Sequence, residues 1–535
     1  MDVTTAAPPS AWAPLRVAAY RSLWLALLAS NIGTWMQTVG AQWLLVEQSG
    51  SDTLVALVQT ASTLPIVLFA LPSGALADTL DRRRLLIAVQ SLLVGVGAML
   101  TILTLTGHMP ASLLLTLTFA LGAGQALTAP AWQAIIPELV PRSQLASASA
   151  LGAVSMNLAR AVGPAVAGVL IAQTGAGVVF GLNTLSFALF VVALWRWRAP
   201  AAEYADAPER FAAAVRAGGR YVRHSPVVRR ILLRAALFLV PGSALWALLP
   251  LVASRRLGLG SSGYGILLAA VGVGAVAGAL LLPRLRARWS VNRLLLIAGG
   301  AFTVVFVVLA LVRSEAAVVV ALVPAGVAWV LVLSNINAAM QLFLPNWVRA
   351  RGLAVYQMVF AGAQAAGALF WGALSDATGL VVSHLAAAAV MAAGVLTLRW
   401  WPMRDVSGDN REPAVFWPEP HLEIDPDDHD GPVLVTVAYP VAAERQDAFV
   451  RAMEAVGRGR RRTGAVRWGL FRDGERPDRY VEAYLVPSWA EHLRQHTGRL
   501  TGADREAEER ALALTDGPAE VSHLLSAPGV IPPGR

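Results

Sequence analysis

One arginine stands where hydrocarbon makes a charge expensive. Arg160 lies about a dozen residues into an apolar run over 147–172, and a guanidinium at that depth is expected to face a cavity or a partner rather than lipid. There it can bind an anionic substrate group or bias the protonation of a nearby acid; snorkelling toward the interface is the plainer alternative. Further along the same run, Gly163 and Pro164 remove bulk and one backbone donor, and Gly168 follows, which permits close helix packing and a kink. In the run 22–45, Asn31, Trp35, Thr38 and Gln42 recur at helical spacing on one face. Gln125, Asn157, Asn335, Asn337, Gln357 and Gln364 are similar polar residues inside apolar runs. Each is a candidate to line a central substrate cavity, with interhelical hydrogen bonding as the alternative.

Other chemistries are ruled out or weakened by what the chain lacks. There is no Cys, which removes disulfides, thiolate metal sites and cysteine nucleophiles together. All 43 basic residues are Arg; a Gly-rich nucleotide loop needs a Lys, so ATP-driven transport is disfavoured. Glu47, Asp52, Glu138 and Asp376 all fall near run ends, so no mid-span acid offers itself as a proton carrier. His492 and His496 are four apart, the spacing of two metal ligands on one helix face, but no third ligand is evident in the sequence. They are expected on exposed helix surface, with no metal site and no cofactor.

The elements that must hold these residues are membrane helices. The chain has 535 residues, 56% hydrophobic and 14% charged, with a mean hydropathy of +0.56, whereas a soluble domain carries about 25% charged residues. Twelve apolar runs of span length occur at roughly 22–45, 54–76, 85–106, 111–132, 147–172, 176–197, 231–253, 262–283, 292–312, 316–339, 352–374 and 380–401. They are expected to be helices, because hydrocarbon offers no partner to an open strand edge. Met1-Asp2-Val3-Thr4 opens no basic segment ahead of a short apolar run, so the first span is expected to be retained rather than cleaved. Alternate loops hold 24 Arg on one side and 3 on the other, the latter being Arg255, Arg256 and Arg313. The positive-inside rule then predicts both termini in the cytoplasm of a multi-pass cell-membrane protein, and the basic balance is assigned to loops rather than to nucleic acid.

A repeat divides the spans. Laying Gly74 on Gly278, an offset of 204, also pairs Gly95 with Gly299, Gly122 with Gly326, Gly163 with Gly367, Gly168 with Gly372 and Gly175 with Gly379, more than chance supplies. Two parallel six-helix halves are an arrangement of secondary transporters. The predicted organisation is a first half over 1–200, a cytoplasmic linker over 201–230 with an amphipathic helix at the lipid surface or a solvated one, and a second half over 231–402. An acidic, Pro-rich linker over 403–432 leads to a soluble α+β domain over 433–535. In that tail, Val433–Tyr439 reads as a strand, Ala443–Val456 as a helix, Ala465–Phe471 and Arg479–Val486 as a hairpin, and Ser488 onward as a helix capped by Ser488 and Glu491. The β-α-β-β-α order suggests a small ferredoxin-like domain, read as a regulatory or dimerising module with an enzymatic role as the rival.

The stretch Gly74-Ala75-Leu76-Ala77-Asp78-Thr79-Leu80-Asp81-Arg82-Arg83-Arg84 resembles the loop motif between the second and third helices of the major facilitator superfamily. Gly74, Asp78, Arg82 and Arg83 match; Thr79 and Asp81 stand where that motif has Arg and Gly. Ala159 to Gly168, with Gly163-Pro164 at its core, resembles the fifth-helix motif of the drug/proton antiporters, with Ala159 and Ala167 in place of Gly. Ala129-Pro130-Ala131-Trp132, the segment 135–141 and the long tail are similar to the transmembrane secretion effectors, relatives of siderophore exporters. The resemblance implies an exporter of small amphipathic compounds driven by an ion gradient, with the proton as coupling ion and membrane lipid as surroundings. It also implies a gating role for the loop motif: Asp78 would engage the N-terminal end of a neighbouring helix, the eleventh span, while the Arg cluster pairs across the seam between halves.

Overall fold

The computed structural model describes residues 12–197, 211–403, 414–417, 422–424, 426–427 and 430–526. The apolar runs form α1 (Ala18–Gln48), α2 (Asp52–Thr79), α3 (Arg82–Leu105), α4 (Ala111–Leu139), α5 (Leu145–Thr174) and α6 (Ala176–Arg196). A short α7 (Phe211–His224) follows, then α8 (Pro226–Leu251), α9 (Ser261–Arg288), α10 (Val291–Leu311), α11 (Glu315–Phe343), α12 (Asn346–Thr378) and α13 (Leu380–Leu396). Among the described residues, eleven helices are long and apolar enough to cross a membrane. The 31-residue α1 is not one of them, because Ser30, Asn31, Thr34, Gln37, Thr38 and Gln42 dilute its apolar run. Several helices outrun the apolar windows: α4 continues through Pro130 and Pro137 to Leu139, as buried helices can when neighbours satisfy the freed carbonyls. Large apolar side chains such as Leu92, Leu280, Val304 and Val320 stand exposed, a surface that suits hydrocarbon and not water.

The chain divides into two compact units. The first is drawn from Met1–Asp206, Leu233–Ile336 and Tyr356–Met403 and holds most of the long helices. One of its cores gathers Tyr20, Leu23, Trp24, Trp132, Ile135, Phe190 and Leu194. Here Tyr20 and Trp24 donate to the carbonyls of Ala148 and Leu151 at 2.9 and 3.0 Å, which ties α1 to the start of α5.

The second unit is drawn from Ala207–Leu232, Asn337–Val355 and Arg404–Arg535. Its centre is a sheet of β1 (Val433–Pro440), β2 (Arg467–Arg472), β3 (Arg479–Val486) and β4 (Glu520–Leu525) in the order β2-β3-β1-β4, every neighbour antiparallel. The helices α14 (Gln446–Thr463), α15 (Trp489–Arg494) and α16 (Gly502–Leu512) accompany it. β4 is an addition to the predicted order; its six residues alternate too weakly to stand out in the sequence. In β3 the period of two buries Tyr480, Glu482, Tyr484 and Val486, alongside Val435, Phe449 and Met453. Ser488 accepts from Glu491 N at 3.3 Å, the expected cap. The predicted linker helix is present as α7; Tyr221 on it is buried and meets the ring of Trp347 edge-on, with centroids 5.7 Å apart. Arg220 pairs with Glu491 at 3.3 Å, and the guanidiniums of Arg462 and Arg499 lie over Tyr221 and Trp347 at 5.7 and 4.8 Å. The side chains of 211–215, and most of the acidic linker, lie outside the described residues.

Candidate functional site

The first unit encloses a cavity of about 320 Å³ lined from both halves of the chain. Six of the residues singled out in the sequence line it: Asn31, Trp35, Thr38, Gln125, Arg160 and Gln364. Gln37, Gln59, Thr63, Asn183, Trp246 and Trp329 join them. The polar ones escaped sequence reasoning because a single amide or hydroxyl in an apolar helix looks the same whether it faces a cavity or another helix. Asn183 and Gln37 hydrogen-bond to one another, and Gln125 donates to Thr34 at 3.4 Å. Asn31 donates to Ser155 at 3.0 Å.

Arg160 sits midway along α5 with its guanidinium 5.5 Å from the Trp35 ring centroid. Its Nε is buried without a hydrogen-bond partner, and among the described residues no carboxylate pairs with it or lines the cavity. A cation in a low-dielectric cavity, held by a ring face and lacking a counter-charge, attracts an anionic group.

The other sequence candidates are placed elsewhere. Gln42 is buried glue, accepting from Tyr264 OH at 2.7 Å and donating to Trp246 O at 2.9 Å. Asn335 bonds Arg286 and Leu331 O, and Asn157 bonds Ala153 O within α5. Asn337 bonds Gln341, and Gln357 is exposed. The fifth-helix motif makes close crossings: a Cβ on Gly163 would lie 2.8 Å from Trp35 Cβ, and one on Gly168 would lie 2.7 Å from Ser261 O and 2.8 Å from Gly265 Cα. Gly168 thereby lets α5 of the first half touch α9 of the second, with Pro164 one turn earlier in the same helix.

Gly74 and Asp78 fall within α2, and their side chains lie outside the described residues. Arg82 and Arg83 correct the expected pairing across the seam. Arg82 pairs with Glu138 at 2.7 Å and Arg83 donates to the carbonyls of Leu194 and Trp195 at 2.9 Å, all inside the first half. Arg83 thus takes up the orphan carbonyls at the end of α6.

A set of polar contacts that the sequence did not reveal joins α2 to α12 and to Arg255 at the Arg-poor end. Asp52 at the start of α2 pairs with Arg255 and accepts from Ser375. Asp376, at the far end of α12, accepts from the backbone nitrogens of Asp52 and Thr53 at 2.6 and 2.9 Å and from Ser51 Oγ at 2.8 Å. A carboxylate from the second half therefore caps the N-terminus of a first-half helix.

A second cavity, of about 570 Å³, opens in the tail. Beneath it Glu482, wholly buried on β3, is held by Arg460 at 3.0 Å, by Tyr439 OH at 2.9 Å and by Trp468 Nε1 at 2.8 Å. Arg460 also reaches Glu508 at 2.9 Å and stacks on Trp417 at 4.4 Å. One wall of the cavity corrects the reading of His492 and His496 as exposed surface: His492 is fully buried, its Nε2 lies 3.2 Å from His496 Nε2, and His523 of β4 supplies the third imidazole. Burial, then the neighbouring His496 and His523, pushes His492 down to about 3, so its ring is neutral at neutral pH.

Long apolar helices around a polar-lined cavity mark a multi-pass membrane protein of the major facilitator class. The chain belongs to the transmembrane secretion effector family, whose model matches residues 9–528. It is similar to the multidrug efflux pump Tap of Mycolicibacterium fortuitum, 27% identical over 382 residues, 68% of this chain and 90% of that protein. It is also similar to the staphyloferrin A transporter of Staphylococcus aureus, 24% identical over 254 residues, 47% of this chain and 64% of the relative. The macrolide efflux protein A of Streptococcus pyogenes is 26% identical over 151 residues, 28% of this chain and 37% of the relative. The chain thus spans less than two thirds of the latter two. A bacterial homologue of the lysosomal transporter Spinster, in an inward-facing and unoccupied conformation, shares the fold with TM-score 0.57 and 17% identity over 72% of this chain and 95% of its own. A POT family transporter in complex with 5-aminolevulinic acid does so with TM-score 0.59 and 13% identity, over 72% and 96%.

Proposed function

We propose that the chain is a secondary active exporter of small amphipathic compounds, working by alternating access in the cell membrane. The observation that carries this reading is the cavity lined from both halves, with Arg160 as a cation awaiting an anionic group. Binding there followed by rocking of the halves moves cargo without a covalent step. In this reading α1 is the twelfth span, its polar face turned to the cavity and its apolar face to neighbours, and both termini are cytoplasmic because the Arg-rich loops lie on their side. The Asp52–Arg255 and Asp376 contacts then belong to the outer end and hold it shut, so the cavity is reached from the cytoplasm. Relatives named as efflux proteins support export, and the proton is taken as the coupling ion by family likeness. The β-α-β-β-α-β order with sheet order β2-β3-β1-β4 supports a ferredoxin-like tail, which in this reading serves the transporter as a module.

Expression in an efflux-deficient bacterium is expected to lower accumulation of one or more members of a panel of dyes, antibiotics and siderophores, and a protonophore to abolish the difference. Unchanged accumulation across the panel overturns broad export and leaves a dedicated metabolite, import or a role other than transport.

The latch has its own readout. Because the chain has no Cys, a single Thr63→Cys in the cavity wall reports access cleanly. Adding Asp52→Asn removes the ion pair with Arg255 and is expected to raise labelling by an impermeant thiol reagent from outside by up to about fivefold, the scale of a partly exposed pair. Equal labelling with and without Asp52→Asn argues that the ion pair does not hold this end, which then rests on the Asp376 contacts and packing.

A further inference from the structure

We propose that His492, His496 and His523 form a site for one divalent first-row transition cation, with a remaining coordination position opening into the tail cavity. Their ligand nitrogens all lie within 4.8 Å of one another. His492 and His496, one helical turn apart, already face each other through Nε2 at 3.2 Å, close to the edge of a tetrahedron with metal–nitrogen bonds of about 2.0–2.1 Å. His523 arrives from another element: β4 pairs with β1, setting His523 opposite Val435, and its ring centroid lies 4.8 Å from that of His492.

The surroundings hold the rings in place. Trp489 packs on both His492 and His523, with centroids at 5.3 and 6.0 Å, and Trp417 packs on His496 at 4.8 Å. Gln495 Oε1 is buried with no hydrogen-bond partner other than the His492 ring beside it. A metal on Nε2 fixes the tautomer that carries its hydrogen on Nδ1, and Nδ1 of His492 and of His496 is buried away from water. Three imidazole ligands with no carboxylate among them select zinc, copper, iron, cobalt or nickel over magnesium and calcium. All three histidines line the 570 Å³ cavity, so a water or an incoming oxygen donor can complete the coordination, as in open zinc sites.

The test uses the full chain, purified in detergent without a polyhistidine tag, stripped with a chelator and titrated with Co²⁺. We expect one Co²⁺ per chain, visible d–d absorption of a low-coordinate site, and loss of that absorption on adding Zn²⁺. His523→Ala and His496→Gln, both at half-buried positions, should each weaken binding at least about a hundredfold, more than second-sphere changes do. Metal-free thermal unfolding of each variant serves as the folding control. Substoichiometric binding, octahedral-type spectra, or affinity unchanged in both variants overturns the site and leaves a hydrogen-bonded histidine cluster. The transport reading is untouched either way, since nothing here draws on the membrane helices.

Discussion

Arg160→Gln is expected to cut transport by about 10- to 100-fold while leaving membrane insertion and abundance unchanged. The magnitude follows from the chemistry: a hydrogen bond to a charged group contributes about 1.5–3 kcal/mol, and Arg160 is the charged side chain of the cavity lining. Gln keeps a polar side chain but removes the charge and the cation on Trp35. Arg160→Lys keeps the charge and loses the planar fork and its stacking, so it should fall between the two. Accumulation assays on the same panel decide the matter, with competition by anionic and neutral analogues of one substrate as the finer probe. Wild-type transport by Arg160→Gln would mean that Arg160 serves packing alone.

The second large effect concerns stability of the tail. Arg460→Met leaves Glu482 charged inside the sheet with only Tyr439 and Trp468 as donors, and removing one member of a buried pair costs about 3–5 kcal/mol. Burial opposes the charge on Arg460, but Glu482 and Glu508 outweigh it and hold the guanidinium firmly protonated, so in the wild-type tail it stays a cation for both carboxylates. The tail is expected to become protease-sensitive at temperatures where the wild type resists. The double variant Arg460→Met/Glu482→Met removes both charges and should recover much of the difference, as isosteric apolar replacements of buried pairs do. Equal protease resistance of wild type and Arg460→Met would show that the network contributes nothing.

Much of this was legible in the chain because membrane helices announce themselves by length and composition. Arg160 stood out because charge is rare at such depth, and it does line the cavity. The same reasoning could not separate Thr38, which faces the cavity, from Gln42, which is spent on Tyr264 and Trp246. They sit four residues apart on one helix, and only the neighbours decide. The Asp52–Arg255 and Asp376 contacts were invisible for a different reason. Asp52 and Asp376 are individually ordinary helix-end acids, and their meeting across 324 residues is a property of the packed halves. His523 was missed likewise: spacing reveals pairs within a helix, whereas this third imidazole is delivered by strand pairing.

The membership of the second unit bears on how the molecule can be dissected. Composition suggests cutting after Met403, where apolar sequence gives way to acidic linker. Such a cut would strip Glu491 from Arg220 and the guanidiniums of Arg462 and Arg499 from Tyr221 and Trp347, baring two aromatic rings on segments that lie well before the cut in the sequence. The natural joint of this protein is therefore not a point along the chain. The linker helix, the turn between α11 and α12 and the sheet domain share one hydrophobic economy, so a shortened transporter would inherit a surface it was never built to show to water.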